Sequence, residues 1–348
     1  MEWGNKTTVT EFVLLGFSPS WEAHLLLFVL FLFLYTATLF SNLVILLAIS
    51  QDRCLLRSPM FFLLAHLAFL DLCLSSFATP RALFDLLTQR QVISFQGCMT
   101  QIFFLHLFGG SEMLLLMVMA YDRYVAICHP LHYASLMSQR RCVGLVLASW
   151  VGGLLHTSVQ MAFMIDVPFC GPNHVDSFFC DIPLVIKLAC LDIYPLEIMM
   201  MTNSGLMSLV GFITVIVSYG LILSTIHSRA PSEGTSKAIS TSTTHLIVVS
   251  MYFGPCIYIY LRPSTRFMSD KVLSIFYTAV TPLLNPAIYA LKNKEMKSAM
   301  GKLLGRHSVQ VSDRIPVIAA GVVVSWRCKR SSHEGMPGGR LASQLPVA

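Results

Sequence analysis

Two acidic residues lie inside long apolar runs of this sequence, where a charge is expensive to bury and usually serves a function. Counted at 1.5 Å per residue from the inner ends of their predicted helices, Asp71 and Glu112 lie about 18 Å and about 16 Å deep, at a similar level. Two like charges in a low dielectric cannot both stay ionised without compensation. Either one is protonated within a hydrogen-bond network, or a hard cation lies between them, with Asn42 and Asn285 completing its oxygen shell. The residues alone leave both alternatives open.

Two short motifs mark the inner ends of apolar runs. An Asp-Arg-Tyr string at 122–124 closes the third run and places a cation at its boundary. An Asn-Pro-x-x-Tyr string at 285–289 closes the last run, where the proline removes a helix hydrogen bond and permits a kink. A single Asp-Arg-Tyr string is weak evidence, but the two motifs closing the third and the seventh runs form a specific pair.

The elements that must position these residues are membrane-spanning helices. Of the 348 residues, 55% are hydrophobic and 12% are charged, against about 25% charged in soluble globular proteins. About 20 apolar residues cross a bilayer, and seven runs of this kind cover residues 24–49, 59–84, 98–121, 142–164, 196–226, 238–260 and 271–291. The composition excludes an ordinary soluble enzyme, a disordered chain and a small disulfide scaffold. It predicts an all-α membrane protein, a seven-transmembrane helix bundle.

The basic residues predict how the bundle is oriented in the bilayer. Twelve Lys and Arg residues lie in the segments that would face the cytoplasm and six in the opposite segments, so the N-terminus is expected outside and the C-terminus inside. Asn5 begins an Asn-Lys-Thr glycosylation acceptor on the outer side. Because the basic residues are spread over short loops, the net charge of +6 does not predict a nucleic-acid partner.

Four of the ten cysteines fall on the predicted outer face, which is the oxidising side. Cys98 lies at the outer end of the third run, and Cys170, Cys180 and Cys190 lie in the long loop before the fifth. Their common face predicts disulfides, and four cysteines allow three different pairings.

One face of the third run is a candidate wall of a ligand cavity. Leu105, His106, Gly109 and Gly110 share that face by helical spacing. The two glycines either open space for a ligand or allow another helix to pack closely. His106 either donates a hydrogen bond to a ligand or bonds to a neighbouring helix. These alternatives also stay open.

Longer strings resemble one known family over about residues 5–304. The chain is similar to a rhodopsin-like G-protein-coupled receptor and, more narrowly, to a vertebrate olfactory receptor. The string around Asp122 is specific to olfactory receptors. The matching strings are MAYDRYVAICHPLHY at 119–133, SPMFF at 58–62, KAIST at 237–241, PLLNPAIY at 282–289 and TEFVLLGF at 10–17.

The resemblance implies a plasma-membrane receptor of seven helices with a short amphipathic eighth helix, and no enzymatic activity. Such a receptor binds small volatile odorants and activates a stimulatory, olfactory-type G protein, which raises cyclic AMP. The resemblance also implies a Cys98–Cys180 bridge and a Cys170–Cys190 bridge. It favours a sodium ion at Asp71 and Glu112 over a shared proton.

The family's positions extend two candidate sites in this chain. On the ligand side they add Asn203, Ser204, Met207, Phe253, Cys256, Ile257, Tyr260, Ile275 and Thr278. On the G-protein side they give Asp122, Arg123, Tyr124, Tyr219, His245, Asn285, Pro286 and Tyr289. Ligand binding is expected to shift the population towards an arrangement in which the inner ends of the fifth and sixth helices open.

The chain departs from the family in the sixth helix and in the tail. The usual Phe-Tyr-Gly reads Tyr252-Phe253-Gly254, and a shift of one position is about 100° around a helix. The tail continues for some 40 residues past the usual end and is expected to be disordered. The expected organisation is an extracellular segment at 1–23, the receptor domain at 24–291, the amphipathic helix at 292–305 and a cytoplasmic tail at 306–348.

Two other classes of membrane protein compete with this interpretation. A secondary transporter would show internal repeats, and the sequence has none that we find. A receptor for a peptide or a lipid is the main alternative. A strongly acidic or strongly basic outer face would favour it, and the outer loops here carry both signs.

Overall fold

The computed structural model describes residues 9–16, 20–88, 90–170, 173–228, 233–262, 268–291 and 293–303. The glycosylation acceptor at Asn5 and the tail predicted from residue 306 lie outside these ranges.

Eight helices account for most of the described chain. They are α1 (Trp21–Gln51), α2 (Pro59–Thr88), α3 (Phe95–Cys128), α4 (Gln139–Met164), α5 (Tyr194–His227), α6 (Glu233–Tyr260), α7 (residues 268–291) and α8 (Lys294–Leu303). Each of the seven predicted runs falls inside one of the first seven helices, and these pack together as one bundle. The predicted amphipathic segment forms α8, whose Met296 is fully buried.

Six helices of the described chain, α1 to α6, are long and apolar enough to cross a membrane. Helix α7 carries Asp270 and Lys271 in its first turn and Asn285 near its inner end. All three polar side chains are wholly or partly buried.

Two helices contain a π-helical segment at the outer half of the bundle. Met201–Gly205 interrupts α5, and Phe276–Val280 interrupts α7 between Met268–Ile275 and Thr281–Leu291. A π-helical turn holds an extra residue and rotates everything before it relative to everything after it. Such segments often mark functional sites, and both of these border the same cavity, described below.

A small β-sheet closes the outer end of the bundle. Its strands are β1 (Glu11–Leu14), β2 (Val92–Ser94) and β3 (His174–Val175), in the order β2-β1-β3. Strand β1 pairs antiparallel with β2, with Phe12 opposite Ile93, and parallel with β3, with Leu14 opposite Val175. The all-α prediction does not anticipate this sheet, because strands of two to four residues carry too short a pattern.

The N-terminal strand is anchored by buried apolar side chains. Phe12 and Leu14 are almost completely buried. The Phe12 ring centroid lies 6.0 Å from that of Phe95 at the start of α3 and 5.7 Å from that of Phe169 in the long loop before α5. The N-terminal segment therefore joins two outer loops that are far apart in sequence.

Helices α3 and α4 approach each other most closely at Gly153. A Cβ atom at this position would lie 2.1 Å from Ser111 Oγ and 2.7 Å from the Leu107 carbonyl oxygen. Backbone cannot move aside as a flexible side chain can, so only glycine allows this spacing. Small residues at such crossings are a common way to pack helices in membranes.

We expect Gly153→Ala to destabilise the bundle, because the new methyl group must push α3 and α4 apart. The cost of such overpacking is about 1–3 kcal/mol. The measurement is the midpoint of thermal unfolding of the detergent-solubilised protein. Gly144→Ala in the same helix is the matched control, since a Cβ there would meet nothing within 4 Å. Equal midpoints for the two variants would contradict this account of the crossing.

Candidate functional site

The long loop between α4 and α5 is held against the bundle by two disulfides. Cys98 at the start of α3 is bonded to Cys180, and Cys170 is bonded to Cys190 within the loop. These are the two pairings that the family resemblance implies. Beside the first bridge, the Cys180 N–H donates to Gln101 Oε1 of α3 at 2.9 Å. The residues next to Cys180 are thereby fixed over the centre of the bundle.

Beneath this loop lies a cavity enclosed by α2 to α7. Its volume is about 40 Å³. Nine of the thirteen residues predicted to bind ligand line this cavity: Leu105, His106, Gly109, Gly110, Ser204, Met207, Cys256, Tyr260 and Thr278. The structure thus brings them together from four helices, and their role in binding stays a prediction.

Asp181, which follows Cys180 directly, is the most highly connected polar group of the cavity wall. Its Oδ1 accepts hydrogen bonds from His106 Nε2 at 3.1 Å and from the Tyr260 hydroxyl at 3.0 Å. Its Oδ2 lies 2.9 Å from the same Tyr260 hydroxyl and accepts from the Tyr277 hydroxyl at 3.3 Å. The Ile182 N–H donates to Oδ1 at 2.8 Å. One buried carboxylate therefore joins the loop to α3, α6 and α7.

This contact gives His106 a partner in the long loop, whereas its two interpretations named a ligand or a neighbouring helix. Its Nε2 bonds to the loop carboxylate, so the side chain has a partner within the protein. The histidine also lines the cavity, but its Nε2–H is engaged by Asp181.

A second polar pair lies on the opposite wall, between α4 and α5. His156 Nδ1 is 3.2 Å from Asn203 Oδ1, and Asn203 Nδ2 donates to the His156 carbonyl oxygen at 3.0 Å. One turn further along α4, Gln160 Nε2 donates to Ser204 Oγ. The π-helical segment of α5 places Asn203 and Ser204 next to each other on the side that faces α4.

The two glycines of α3 serve both of the uses considered for them. A Cβ at Gly110 would lie 3.0 Å from His156 Cδ2 and 3.4 Å from the Gly153 Cα, so Gly110 permits close packing against α4. A Cβ at Gly109 would meet only the Tyr252 hydroxyl, at 3.5 Å, so Gly109 chiefly leaves space in the cavity.

Four of the thirteen predicted ligand-binding residues do not line the cavity: Asn203, Phe253, Ile257 and Ile275. Phe253 points towards α5, where its ring stacks on Phe212 at a centroid distance of 6.2 Å, and Asn203 is engaged with His156. Ile257 and Ile275 are half-buried away from the cavity.

Seven further residues that the sequence analysis did not select line the cavity: Leu74, Met113, His156, Phe179, Asp181, Tyr252 and Tyr277. For two of them, the sequence contains a feature that could have identified them as cavity residues. Asp181 adjoins a cysteine of the outer face, and His156 is a lone histidine within an apolar run. The other five are apolar or aromatic residues that look like ordinary core.

The two acidic residues of the bundle interior meet below the cavity, as their predicted depths require. Asn285 Nδ2 lies 3.0 Å and 3.3 Å from the two Asp71 carboxylate oxygens and 3.2 Å from Glu112 Oε1. All three side chains are completely buried. Within the described chain, Glu112 Oε2, Asn285 Oδ1 and the nearby Asn42 Oδ1 have no hydrogen-bond partner.

The inner ends of the helices carry the residues predicted to act on a G protein. Arg123 Nη2 contacts Met60 Sδ at 2.9 Å, and the Tyr219 hydroxyl is hydrogen-bonded to His245 Nδ1 at 3.2 Å, which links α5 to α6. Tyr124 lies on α3 with its hydroxyl 3.0 Å from His129 Nε2. Pro286 is buried within α7. The side chain of Tyr289 lies outside the described part of the chain.

Asp122 is held by the short inner loop rather than by α3 itself. The Tyr133 hydroxyl donates to Asp122 Oδ1 at 2.8 Å. Burial, and after it the neighbouring Asp122 carboxylate, raises the pKa of Tyr133 above its usual range, so the hydroxyl keeps the proton that it donates. The loop after α3 is thereby fixed to the Asp-Arg-Tyr motif.

Comparison with known proteins gives a consistent result. The sequence model of the olfactory receptor family matches residues 31–307. Human olfactory receptor 4K3 is 54% identical over 303 residues, which are 87% of this chain and 96% of that receptor. Human olfactory receptor 4K14 is 56% identical over 302 residues, 87% of this chain and 97% of that receptor. Human olfactory receptor 4N5 is 50% identical over 307 residues, 88% and 99% of the two chains.

We expect Asp181→Asn to destabilise the outer half of the bundle. The amide keeps one acceptor oxygen but turns two donor hydrogens towards the His106 and tyrosine donors. Leaving buried donors unsatisfied costs about 1–3 kcal/mol each. The measurement is the surface level in transfected cells together with the thermal midpoint of the purified protein. Asp166→Asn is the control, because Asp166 is exposed at the end of α4. Wild-type values for Asp181→Asn would show that the carboxylate does not hold the loop.

Proposed function

Because this chain belongs to the olfactory receptor family, we propose that it binds small volatile odorants in the cavity beneath Asp181. Binding there activates a stimulatory, olfactory-type heterotrimeric G protein and raises cyclic AMP. The observation that supports this most directly is the enclosed cavity between α2 and α7, which gathers nine residues predicted to bind ligand.

The lining of the cavity suits small, mainly apolar molecules. Leu74, Leu105, Met113, Met207 and Phe179 supply apolar surface, and a few polar groups stand among them. Pockets for small ligands are usually built in this way, with few polar groups fixing orientation. The small volume favours ligands of few heavy atoms, and flexible methionines allow some repacking around them.

Helix α3 connects the cavity to the inner face. It runs without interruption from Gly109 in the cavity wall to Arg123, a rise of about 21 Å. A ligand changes the equilibrium between two arrangements only by binding one of them better than the other. In the arrangement described here, the Tyr219–His245 hydrogen bond joins α5 to α6. Opening these inner ends breaks that contact and uncovers Arg123 for the G protein.

We place the receptor in the plasma membrane with its N-terminus outside. Both disulfides and the three-stranded sheet lie at the end of the bundle that carries β1, and disulfides persist on the oxidising side of a membrane. The opposite end carries Arg123 and α8, whose Lys294, Lys297 and Lys302 agree with a cytoplasmic position.

We also propose that the acidic pair below the cavity holds a sodium ion. The two carboxylates share a neutral donor, Asn285 Nδ2, which does not compensate their charge. Glu112 Oε2 and the Asn285 and Asn42 side-chain oxygens are buried acceptors without hydrogen-bond partners in the described chain. Oxygen donors of this kind suit a hard cation. Such an ion would favour the inactive arrangement, because activation closes the space between the helices.

We expect Arg123→Ala to abolish the cyclic AMP response to odorants while surface level and odorant binding stay near those of the wild type. Arg123 lies at the inner end of α3, far from the cavity, so its loss removes a contact with the G protein. Cyclic AMP is measured in transfected cells at matched surface level. Arg141→Ala, an exposed arginine at the inner end of α4, is the control and should signal normally. A normal response from Arg123→Ala would exclude the proposed role.

Raising sodium at constant ionic strength is expected to lower basal activity and odorant potency. About 1 kcal/mol of coupling corresponds to roughly fivefold in potency. Asp71→Asn should remove this dependence. Asp85→Asn, which affects only the ion pair with Arg81 at the outer end of α2, should retain it. Potency that varies with pH but not with sodium would assign the compensation to a shared proton.

A further inference from the structure

We propose that the cavity selects small neutral molecules that carry a hydroxyl group, namely alcohols and phenols, and that His156 Nε2 accepts the hydrogen bond from that hydroxyl. This proposal rests on the proposed function, since it names the chemical class of odorant for the same cavity. The ligand can bond only to those polar atoms of the cavity wall that are not already hydrogen-bonded within the protein.

The hydrogen bonds between α4 and α5 fix the tautomer of His156. The His156 carbonyl oxygen can only accept, so the Asn203 atom 3.0 Å from it must be the amide nitrogen. The other amide atom is then the oxygen, which also can only accept. Because His156 Nδ1 lies 3.2 Å from that oxygen, Nδ1 must carry the proton. The neutral ring therefore has a bare lone pair on Nε2.

The lone pair of Nε2 is available to a ligand. Nδ1 and Cδ2 are on opposite edges of the ring, and the Cδ2 edge lies against Gly110, which itself lines the cavity. Nε2 is bonded to Cδ2, on the edge of the ring opposite the Asn203 contact, and His156 lines the cavity. The structure shows no hydrogen-bond partner for it among the residues it describes. No carboxylate contacts the ring in that part of the chain, and an isolated imidazolium at this depth is costly, so the neutral form applies.

The remaining polar atoms of the cavity wall limit further which class of ligand can bind. The His106 Nε2–H, the Tyr260 hydroxyl and the Tyr277 hydroxyl donate to Asp181, and the Thr278 hydroxyl donates to the Ser274 carbonyl. Ser204 Oγ accepts from Gln160 and retains its own hydrogen, so it can donate to a ligand. A hydroxyl group, which both donates and accepts, matches the pair formed by His156 Nε2 and Ser204 Oγ.

Charged odorants, and odorants without a hydrogen-bond donor, match the polar groups of the cavity wall less well than hydroxyl compounds do. The four donors around Asp181 leave it little capacity for an ammonium group. A carboxylate would lie beside the Asp181 charge, and no Lys or Arg is among the residues lining the cavity. An ether or a ketone can accept from Ser204 but leaves His156 Nε2 unpaired, and a site built to bond a hydroxyl rejects analogues that lack one.

The test measures cyclic AMP in cells with the intact, surface-expressed receptor, over a panel of volatiles arranged in matched sets. One set is phenol with anisole. Another is 1-pentanol with pentanal, methyl pentyl ether, pentylamine and pentanoic acid, and further sets repeat these functional groups on branched and cyclic skeletons. We expect the agonists to be alcohols or phenols. Methylation of the hydroxyl should lower potency at least about tenfold.

His156→Leu removes the acceptor and should bring the potency ratio of each alcohol to its ether close to one at matched surface level. His66→Leu is the control, since His66 bonds to the Phe62 carbonyl within α2 and does not line the cavity. It should keep the wild-type ratio. If His156→Leu does not reach the surface, His156→Phe, which keeps a planar ring but lacks the acceptor nitrogen, replaces it in the same comparison.

Each outcome bears on one of the two proposals. Odorants without a donor that are as potent as their hydroxyl counterparts would overturn the ligand class and leave the proposed function intact. A tenfold preference that persists in His156→Leu would overturn the role of His156. A surface-expressed receptor that no volatile of the panel activates would overturn the proposed function, and the ligand class with it.

Discussion

The cavity keeps its form because one loop carboxylate, Asp181, accepts hydrogen bonds from three different helices. A carboxylate in such a buried place is stable only when its charge is shared among several donors. Here the His106, Tyr260 and Tyr277 side chains all donate to the same carboxylate. The Cys98–Cys180 bridge supplies that acceptor by fixing the adjacent residue of the loop over the bundle. The outer half of α3, α6 and α7 is thus organised around a residue that belongs to none of them.

The same arrangement leaves the cavity with few free polar atoms. Most of its hydroxyl and ring N–H groups are engaged within the protein, so they add little to what a ligand can bind. What remains lies on the α4–α5 side, where the π-helical segment of α5 places Asn203 and Ser204 against α4. The polar groups around Asp181 therefore hold the helices together, and those on the α4–α5 side remain to bind a ligand.

Much of this could be predicted from the sequence, for identifiable reasons. The spans follow from apolar runs, and the meeting of Asp71 with Glu112 follows from counting residues along regular helices. Positions carried over from the family are less exact: Ile275, just before the π-helical segment of α7, does not line the cavity. Contacts made by loops are also beyond such reasoning. Nothing in the sequence pattern places Asp181 between Tyr260 and Tyr277, because that contact depends on the path of a long loop. The strand at Glu11–Leu14 is likewise not predicted, because four residues carry too short a pattern.

In α6 the usual Phe-Tyr order of the family is reversed to Tyr252-Phe253. This order places the Tyr252 hydroxyl between the cavity and the acidic pair below it. Tyr252 faces α3, lines the cavity and donates to the Gly109 carbonyl oxygen at 3.0 Å. Phe253, about 100° further around the helix, faces α5, where a Cβ at Gly211 would lie 2.7 Å from its ring. The opposite order would bring a hydroxyl to this tight apolar contact and leave the Gly109 carbonyl without its donor. Glu112 lies one helical turn below Gly109 on α3, so the hydroxyl of Tyr252 stands between the floor of the cavity and the carboxylates. A ligand at the bottom of the cavity therefore contacts Tyr252, the side chain that separates the cavity from the buried carboxylates.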